Sequence, residues 1–180
     1  MLKPVTKESH KDVVDLWNIC LPDFKLSDRL LEQNSWQSPY VLHEGSAIKE
    51  IDGEIAGVVI AKVWHETHGV SLNKEQGWIQ MLLVHPDYRQ QKIGSELYRY
   101  AEQALLNNGI KKIQLGGDLG HLLCGVPLDH REGVAFAEKF GFKRVVKSVD
   151  FKKTVTEPLL LVEKKNVQFV LLEKEEQQQL

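Results

Sequence analysis

At 180 residues, with 42% hydrophobic and 27% charged side chains, the chain has the makeup of one globular domain with its own core, not of a fibrous or disordered polypeptide. A formal net charge of −2 gives no basic excess for nucleic-acid phosphates or an anionic membrane surface, so neither is expected as a partner. Cys20 and Cys124, the two cysteines, lie far apart without CxxC or metal-ligand spacing, which fits a reducing compartment and implies no metal cofactor.

The opening MLKPVTKESHKD holds no apolar core of signal-peptide length, and no apolar run approaches the roughly 20 residues of a membrane helix, so a cytoplasmic protein is expected. Leu2 to Val5 reads as a short strand. Thr6 or Ser9 then caps a helix in which Val13, Val14, Leu16, Trp17 and Cys20 follow a 3.6-residue period. A second short helix is predicted from Ser27 to Gln33, with Ser27 accepting from first-turn N–H groups and Asp28 complementing the positive helix end. Ala47 to Ile51 and Glu54 to Trp64 are β-branched runs joined by Asp52-Gly53, a pair that tolerates the positive φ of a two-residue hairpin turn.

His65 to Gln76 contains His65-x-x-His68, but Gly69 and Asn73 make it a strand connection rather than a metal-binding helix. Gly77 to Val84 reads as a strand. Ile93 to Asn108 reads as a helix with Ile93, Leu97, Ala101 and Leu105 on one face and Gly109 ending it. A strand at Ile113 to Leu115, a Gly-rich segment, a helix near Glu132 to Phe140 and strands near Phe142 to Val155 complete an α/β order with a mixed sheet. Residues 1–157 are read as the domain. In 158–180, Val167 to Leu172 looks like a strand and Glu173 to Leu180 like a helix start; this is either a last sheet strand with a charged tail, or an echo of Leu2 to Leu16 that begins a second, truncated unit.

The chemistry concentrates in Met81-Leu-Leu-Val-His-Pro-Asp-Tyr-Arg-Gln-Gln-Lys-Ile-Gly-Ser-Glu-Leu97: a buried strand, a Pro-initiated turn, a polar loop and a helix start. Free N–H groups at a helix start, joined to its positive dipole end, favour a phosphate. Gly94 permits close backbone approach, and Arg89 and Lys92 add positive charge. A helix opening with one Gly after a basic loop is also commonplace, so an unrelated phosphate-binding α/β domain stays open on these residues alone.

That stretch resembles the acetyl-CoA-binding motif of the GNAT (GCN5-related N-acetyltransferase) superfamily, V-x-P-x-x-R-x-x-G-x-G/A, through Val84, Pro86, Arg89, Ile93 and Gly94. A later Phe136-Ala-Glu-Lys-Phe-Gly-Phe142 falls in the family's order, so the resemblance spans about Leu2 to Val155. It implies a mostly antiparallel, twisted mixed sheet of about six to seven strands with about four helices, splayed at the acyl-CoA site. It further implies acetyl-CoA as co-substrate, with Leu83 and Val84 offering backbone groups to the pantetheine arm and Arg89, Gln90, Gln91, Lys92, Ile93, Gly94 and Ser95 wrapping the pyrophosphate. His121-Leu-Leu-Cys-Gly-Val-Pro127 is similar to the H-x-x-x-P-G-V/I-P segment of a GNAT subgroup often found in two-domain acetyltransferases, with Cys124 in place of Pro.

Three positions depart from the pattern. Lys92 replaces the usual Gly, although ordinary helical angles would accommodate it. Ala137 stands where many members carry the Tyr that protonates the departing thiolate, and Trp78 and Gln80 replace strand bases. The expected reaction is direct attack of a small-molecule primary amine on the thioester in a ternary complex, with Gln80 as a substrate or water hydrogen-bonding group, Asp118 as amine binder and His121 as proton acceptor. A catalytically weak acyl-CoA-binding sensor is the alternative, and a homodimer is compatible with either.

Overall fold

A computed structural model describes residues 1–65, 74–149, 151, 153 and 154. The elements are β1 (Leu2–Pro4), α1 (His10–Cys20), α2 (Asp28–Leu31) running into a π-helical stretch (Glu32–Trp36), β2 (Val41–Ile51), β3 (Glu54–Val63), β4 (Gln76–Val84), α3 (Ile93–Asn107), β5 (Lys112–Leu115) and α4 (Arg131–Lys139). The chain divides into two units, Met1–Val146 and Lys147–Leu180, and every described element lies in the first.

The five described strands lie in the order β1-β2-β3-β4-β5. All neighbours are antiparallel except β4 and β5, which run parallel. Asp52 (φ 52) and Gly53 (φ 87) both take positive φ, which is the turn the Asp-Gly pair predicts between β2 and β3. β3 is buried along nearly its whole length, as a central strand covered on both faces must be. Val58 and Ile60 join Val13, Leu16, Trp17 and Leu31 of the α1–α2 layer. Val59, Ala61 and Val63 join Ile93, Leu97, Ala101 and Leu105 of α3 on the other face. Sheet alternation and helix periodicity thus meet in two apolar layers around one sheet.

In β2 the register jumps between Leu42 and Ala47, and Ser46 fills the gap: its Oγ donates to the Leu42 carbonyl at 2.8 Å and accepts from the Ala61 N–H at 3.1 Å. Ser27 caps α2 as expected, accepting from the Leu30 N–H. The second helix outruns its predicted end at Gln33, because the π-helical stretch carries it to Trp36.

Two expectations differ from the structure. Residues 142–149 form no strand, and Val145 and Val146 are 80% and 82% exposed; their β-branched character finds no neighbouring strand among the described residues to bury it. The sheet therefore holds five strands among the described residues instead of six to seven. His68, Val155 and the two elements expected within 158–180 lie outside the described residues. No helix among the described residues is long and apolar enough to cross a membrane.

Gly57 fixes how closely α3 meets the sheet, since a Cβ there would stand 2.9 Å from both the Leu83 carbonyl oxygen and Leu97 Cδ1. Gly57→Val is expected to cost about 1–3 kcal/mol by overpacking, read as a lower urea midpoint at unchanged m.

Candidate functional site

Four parallel pairs join β4 to β5, from Gln76 with Lys112 to Ile79 with Leu115. Gly116 adds one N–H bond to the Ile79 carbonyl at 2.9 Å, and the chain then turns away through Gly116 (φ +65) and Gly117 (φ +60). A Cβ on Gly116 would lie 2.8 Å from both the Gly125 nitrogen and the Leu123 oxygen, so this turn requires glycine twice over, in angle and in space. Beyond Ile79, β3 is the one strand neighbour β4 keeps among the described residues.

At the same point β4 carries a bulge. Ile60 faces Met81 while Ala61 faces Ile79, so Gln80 is the extra residue, and a bulge re-aims side chains locally. Downstream, the His85 N–H bonds the Ala56 carbonyl at 2.9 Å. By the alternation of an antiparallel ladder, Leu83 then turns its main chain toward β3 and Val84 turns its own into the gap. Leu83 thus uses its main-chain groups on β3, and the Val84 main chain is the one on the gap side.

The loop after β4 begins with a turn at Pro86–Tyr88 and contains two left-handed residues, Gln90 (φ 62) and Lys92 (φ 64). Lys92 does not take the ordinary helical angles that would have accommodated it. It adopts the left-handed conformation a glycine would take, at roughly 1–2 kcal/mol for a residue with a Cβ. Left-handed Lys92 followed by helical Ile93 turns successive N–H groups toward one side, as an anion-binding nest does. The first N–H groups of α3 have no partner within the helix.

This loop, the gap and α4 enclose a cavity of about 320 Å³. Gln80, Val84, Arg89, Gln90, Lys92 and Ile93 to Ser95 line it, opposite Leu115, Gly116, Val126, His130 and Phe136. Arg89 spans it, with Nε donating to the Val84 carbonyl (3.3 Å) and Nη1 paired with Glu132 of α4 at 2.7 Å. Cys20 donates its thiol to the same carbonyl at 3.4 Å. Burial pushes that thiol above its ordinary range, opposed by Arg89, which keeps it protonated. His130 caps α4, its Nδ1 accepting from the Gly133 N–H at 3.2 Å. α4 presents Phe136 to the cavity and packs it on Tyr98 and Phe140 of an aromatic cluster. Tyr98 is buried and bonded to Glu102, both of which raise its hydroxyl far above the usual phenol range; it is a packing residue.

The Gln80 side chain enters a buried polar cluster on the α1–α2 face. Its Oε1 accepts from the Ser35 hydroxyl at 2.6 Å, and its Nε2 donates to the Asn34 carbonyl (3.0 Å) and Asp118 Oδ2 (3.2 Å). At the centre is Lys62, whose side chain has 0% exposure. Its Nζ donates to Asp118 Oδ2 at 2.7 Å, the Asn34 carbonyl at 2.6 Å and the Leu119 carbonyl at 2.9 Å. Burial drives the Lys62 ammonium below its ordinary range while Asp118 holds it up. Asp118 Oδ1 is buried with no hydrogen-bond partner among the described residues.

Of the three residues first read as catalytic, Gln80 and Asp118 thus meet, and Asp118 is engaged by Lys62 rather than open to an incoming amine. His121 lies elsewhere, lining a second cavity of about 290 Å³ with Trp17, Phe24, Lys25, Leu26, Leu30 and Asn34. Its Nε2 is 3.6 Å from the Cys124 thiol. Sequence reasoning missed Lys62, Ser35, Asn34, Cys20 and His130. The signal for Lys62 was present: one cation inside the unbroken apolar run Val58-Val-Ile-Ala-Lys-Val63 must be buried and paired.

The family model of the GNAT acetyltransferases matches residues 10–142. The chain belongs to the GNAT family. A search of curated protein sequences finds no match. Among solved structures, this GNAT domain is similar to an aminoglycoside 6'-N-acetyltransferase of Acinetobacter haemolyticus, with 20% identity, 86% of this chain and 99% of that chain covered, and a TM-score of 0.61. It is also similar to the ribosomal-protein-S18-alanine N-acetyltransferase of Escherichia coli, with 16% identity, 81% and 79% covered, and a TM-score of 0.61. The aminoglycoside N-acetyltransferase AAC(6')-Iy in complex with CoA matches at 14% identity, 85% and 93% covered, and a TM-score of 0.60. At these identities the likeness is one of fold.

Lys62→Met is expected to lower stability by about 3–5 kcal/mol, because it leaves Asp118 buried without a counter-charge. Adding Asp118→Asn should recover part of the loss, both read from urea unfolding.

Proposed function

We propose that this GNAT domain transfers an acetyl group from acetyl-CoA to the primary amine of a small molecule. The observation that carries the reading is the alignment of three features around one cavity: the gap between β4 and β5, the Val84 main chain facing it, and the left-handed loop leading into α3. The residues present fit the coenzyme. N–H groups of 93–95 and the cations Arg89 and Lys92 suit a pyrophosphate, and the strand edge from Gln80 to Val84 suits a pantetheine arm that needs backbone partners. Acetyl-CoA, when bound, supplies the acyl group as a thioester.

The chain's own tasks follow from that placement. The Val84 N–H is the donor suited to polarising the thioester carbonyl, in a site that Trp17, Leu21 and Phe136 keep apolar. Gln80, held on both sides of its carboxamide, is a fixed donor and acceptor rather than a base. His121 is the proton acceptor for the attacking amine. Asp118 acts through its bonds to Lys62 and Gln80, fixing the loop after β5. Much of the acceleration then comes from holding amine and thioester together, a contribution of several kcal/mol.

A second reading, a coenzyme-binding sensor without turnover, draws on Ala137 in place of a phenol and on Cys20 and Arg89 both occupying the Val84 carbonyl. Thiol release with acetyl-CoA and a mixed panel of amines separates the two: release supports transfer, and coenzyme binding without release supports the sensor.

Two further outcomes are expected. Gly94→Glu should weaken coenzyme A binding at least tenfold, about 1.4 kcal/mol, by calorimetric titration with the circular dichroism unchanged, since it places a carboxylate at the phosphate-binding helix start. His121→Gln should lower kcat about a hundredfold, the scale of losing a positioned general base, while calorimetric titration shows coenzyme A binding unchanged.

A further inference from the structure

The second cavity shares a wall residue with the first. Trp17 lines both, and Asn34, which lines the second, receives through its carbonyl the Gln80 Nε2 and Lys62 Nζ bonds that anchor the reaction end of the first. Its walls are formed before any ligand arrives. The Trp17 indole N–H donates to the Phe24 carbonyl at 2.6 Å, and Asn18 clips the Leu26 main chain with bonds of 2.9 and 3.0 Å. The loop between α1 and α2 is thereby tied to α1 at both its apolar corners. Phe24 and Leu30 are partly exposed at the rim, so the cavity opens to solvent.

Its chemistry is specific. Trp17, Phe24, Leu26, Leu30 and Leu122 make an apolar enclosure, Asn34 and His121 supply polar groups, and Lys25 is the one permanently charged lining residue among the described residues. No carboxylate among the described residues lines it. In the coenzyme cavity the one lining carboxylate among the described residues, Glu132, is paired with Arg89, and the buried Asp118 is paired with Lys62. The carboxylates nearest in sequence, Asp23, Asp28 and Glu32, stand outside the lining; Asp28 pairs with His10 at 3.2 Å, and Glu32 accepts from the Gln37 side chain at 3.3 Å. A polycation would find no free negative partner on these walls, and desolvating several ammonium groups there without partners is strongly unfavourable.

We propose that the acceptor is a primary amine carried on an apolar, ring-sized body that also bears an anionic group, seated in this cavity with its anion toward Lys25 and its amine toward His121 and the Gln80 end of the coenzyme cavity. This rests on the acyl-transfer reading above and adds the substrate class to it. It also separates this domain from its fold neighbours named for aminoglycosides, which are polycationic amines. Charge complementarity at Lys25 selects among amines, and the apolar walls provide most of the affinity.

The test uses the full chain, acetyl-CoA and three probes: 4-(2-aminoethyl)benzoate, phenethylamine as the same body without the anion, and neamine as a polycation. Thiol release gives kcat/KM for each. The carboxylated amine is expected to exceed phenethylamine by about fivefold, the scale of one exposed charge pair, and neamine to be turned over least. In Lys25→Glu the preference for the carboxylated amine over phenethylamine should vanish or invert, and because it is a ratio within one variant, a general loss of active protein does not imitate it. A ratio unchanged by Lys25→Glu, or neamine as the best substrate, overturns the assignment and leaves acyl transfer standing. No release with any probe while calorimetry still shows acetyl-CoA bound overturns both.

Discussion

The parallel ladder between β4 and β5 stops after Ile79 and Leu115, and the site follows from that stop. A sheet whose strands stayed paired would leave no main-chain groups for a ligand; this one frees the edge of β4 from Gln80 to Val84 at the carboxyl end of a strand that leads directly into a helix start. The cause is local. Gly116 and Gly117 turn left-handed in space too tight for a Cβ, and β5 is drawn off toward Leu123 and Gly125. A cavity between two strands therefore exists without any large rearrangement of the core, which stays anchored by α1 and α3 on the two faces of β3.

A gap of this kind exposes polar backbone and needs support from below. Lys62 provides it from the neighbouring strand. Its ammonium gathers Asn34 and Leu119 carbonyls and the Asp118 carboxylate, so the π-helical stretch, the bulge at Gln80 and the segment after β5 share one buried centre. Such a pair is a weak source of net stability, since desolvation offsets most of the attraction, but it fixes geometry strongly because breaking it is costly. The same centre reaches the linings of both cavities, through Gln80 in the first and Asn34 in the second.

Much of this was legible in the sequence where local rules dominate. The Asp52-Gly53 hairpin, α1, α3 and the strand-loop-helix from Met81 to Leu97 rest on turn chemistry and periodicity, and the structure places them within one or two residues of their expected bounds, except that β2 begins at Val41 rather than Ala47. What escaped depends on partners distant in the chain. The bulge at Gln80 is set by register against Ile60 and Ala61, and no property of Gln80 alone shows it. The apolar run around Lys62 signals that it is buried and paired, but its partner, Asp118, lies 56 positions later and is identified only by the fold. Lys92 was expected to keep helical angles because a side chain disfavours left-handed ones; the closure of the loop onto α3 outweighs that local preference. The β-branched residues at 145 and 146 mislead in the opposite sense, since strand propensity without a neighbouring strand yields no strand.

The central claim is that the free edge of β4 and the first turn of α3 receive the coenzyme through main-chain N–H groups. Amide resonances followed by NMR during titration with coenzyme A address those groups one by one. Large shifts confined to Val84, Ile93, Gly94 and Ser95, with the amides of β1 and β2 unmoved, are the result expected. Saturable binding that leaves Val84 and residues 93–95 unshifted would contradict the account.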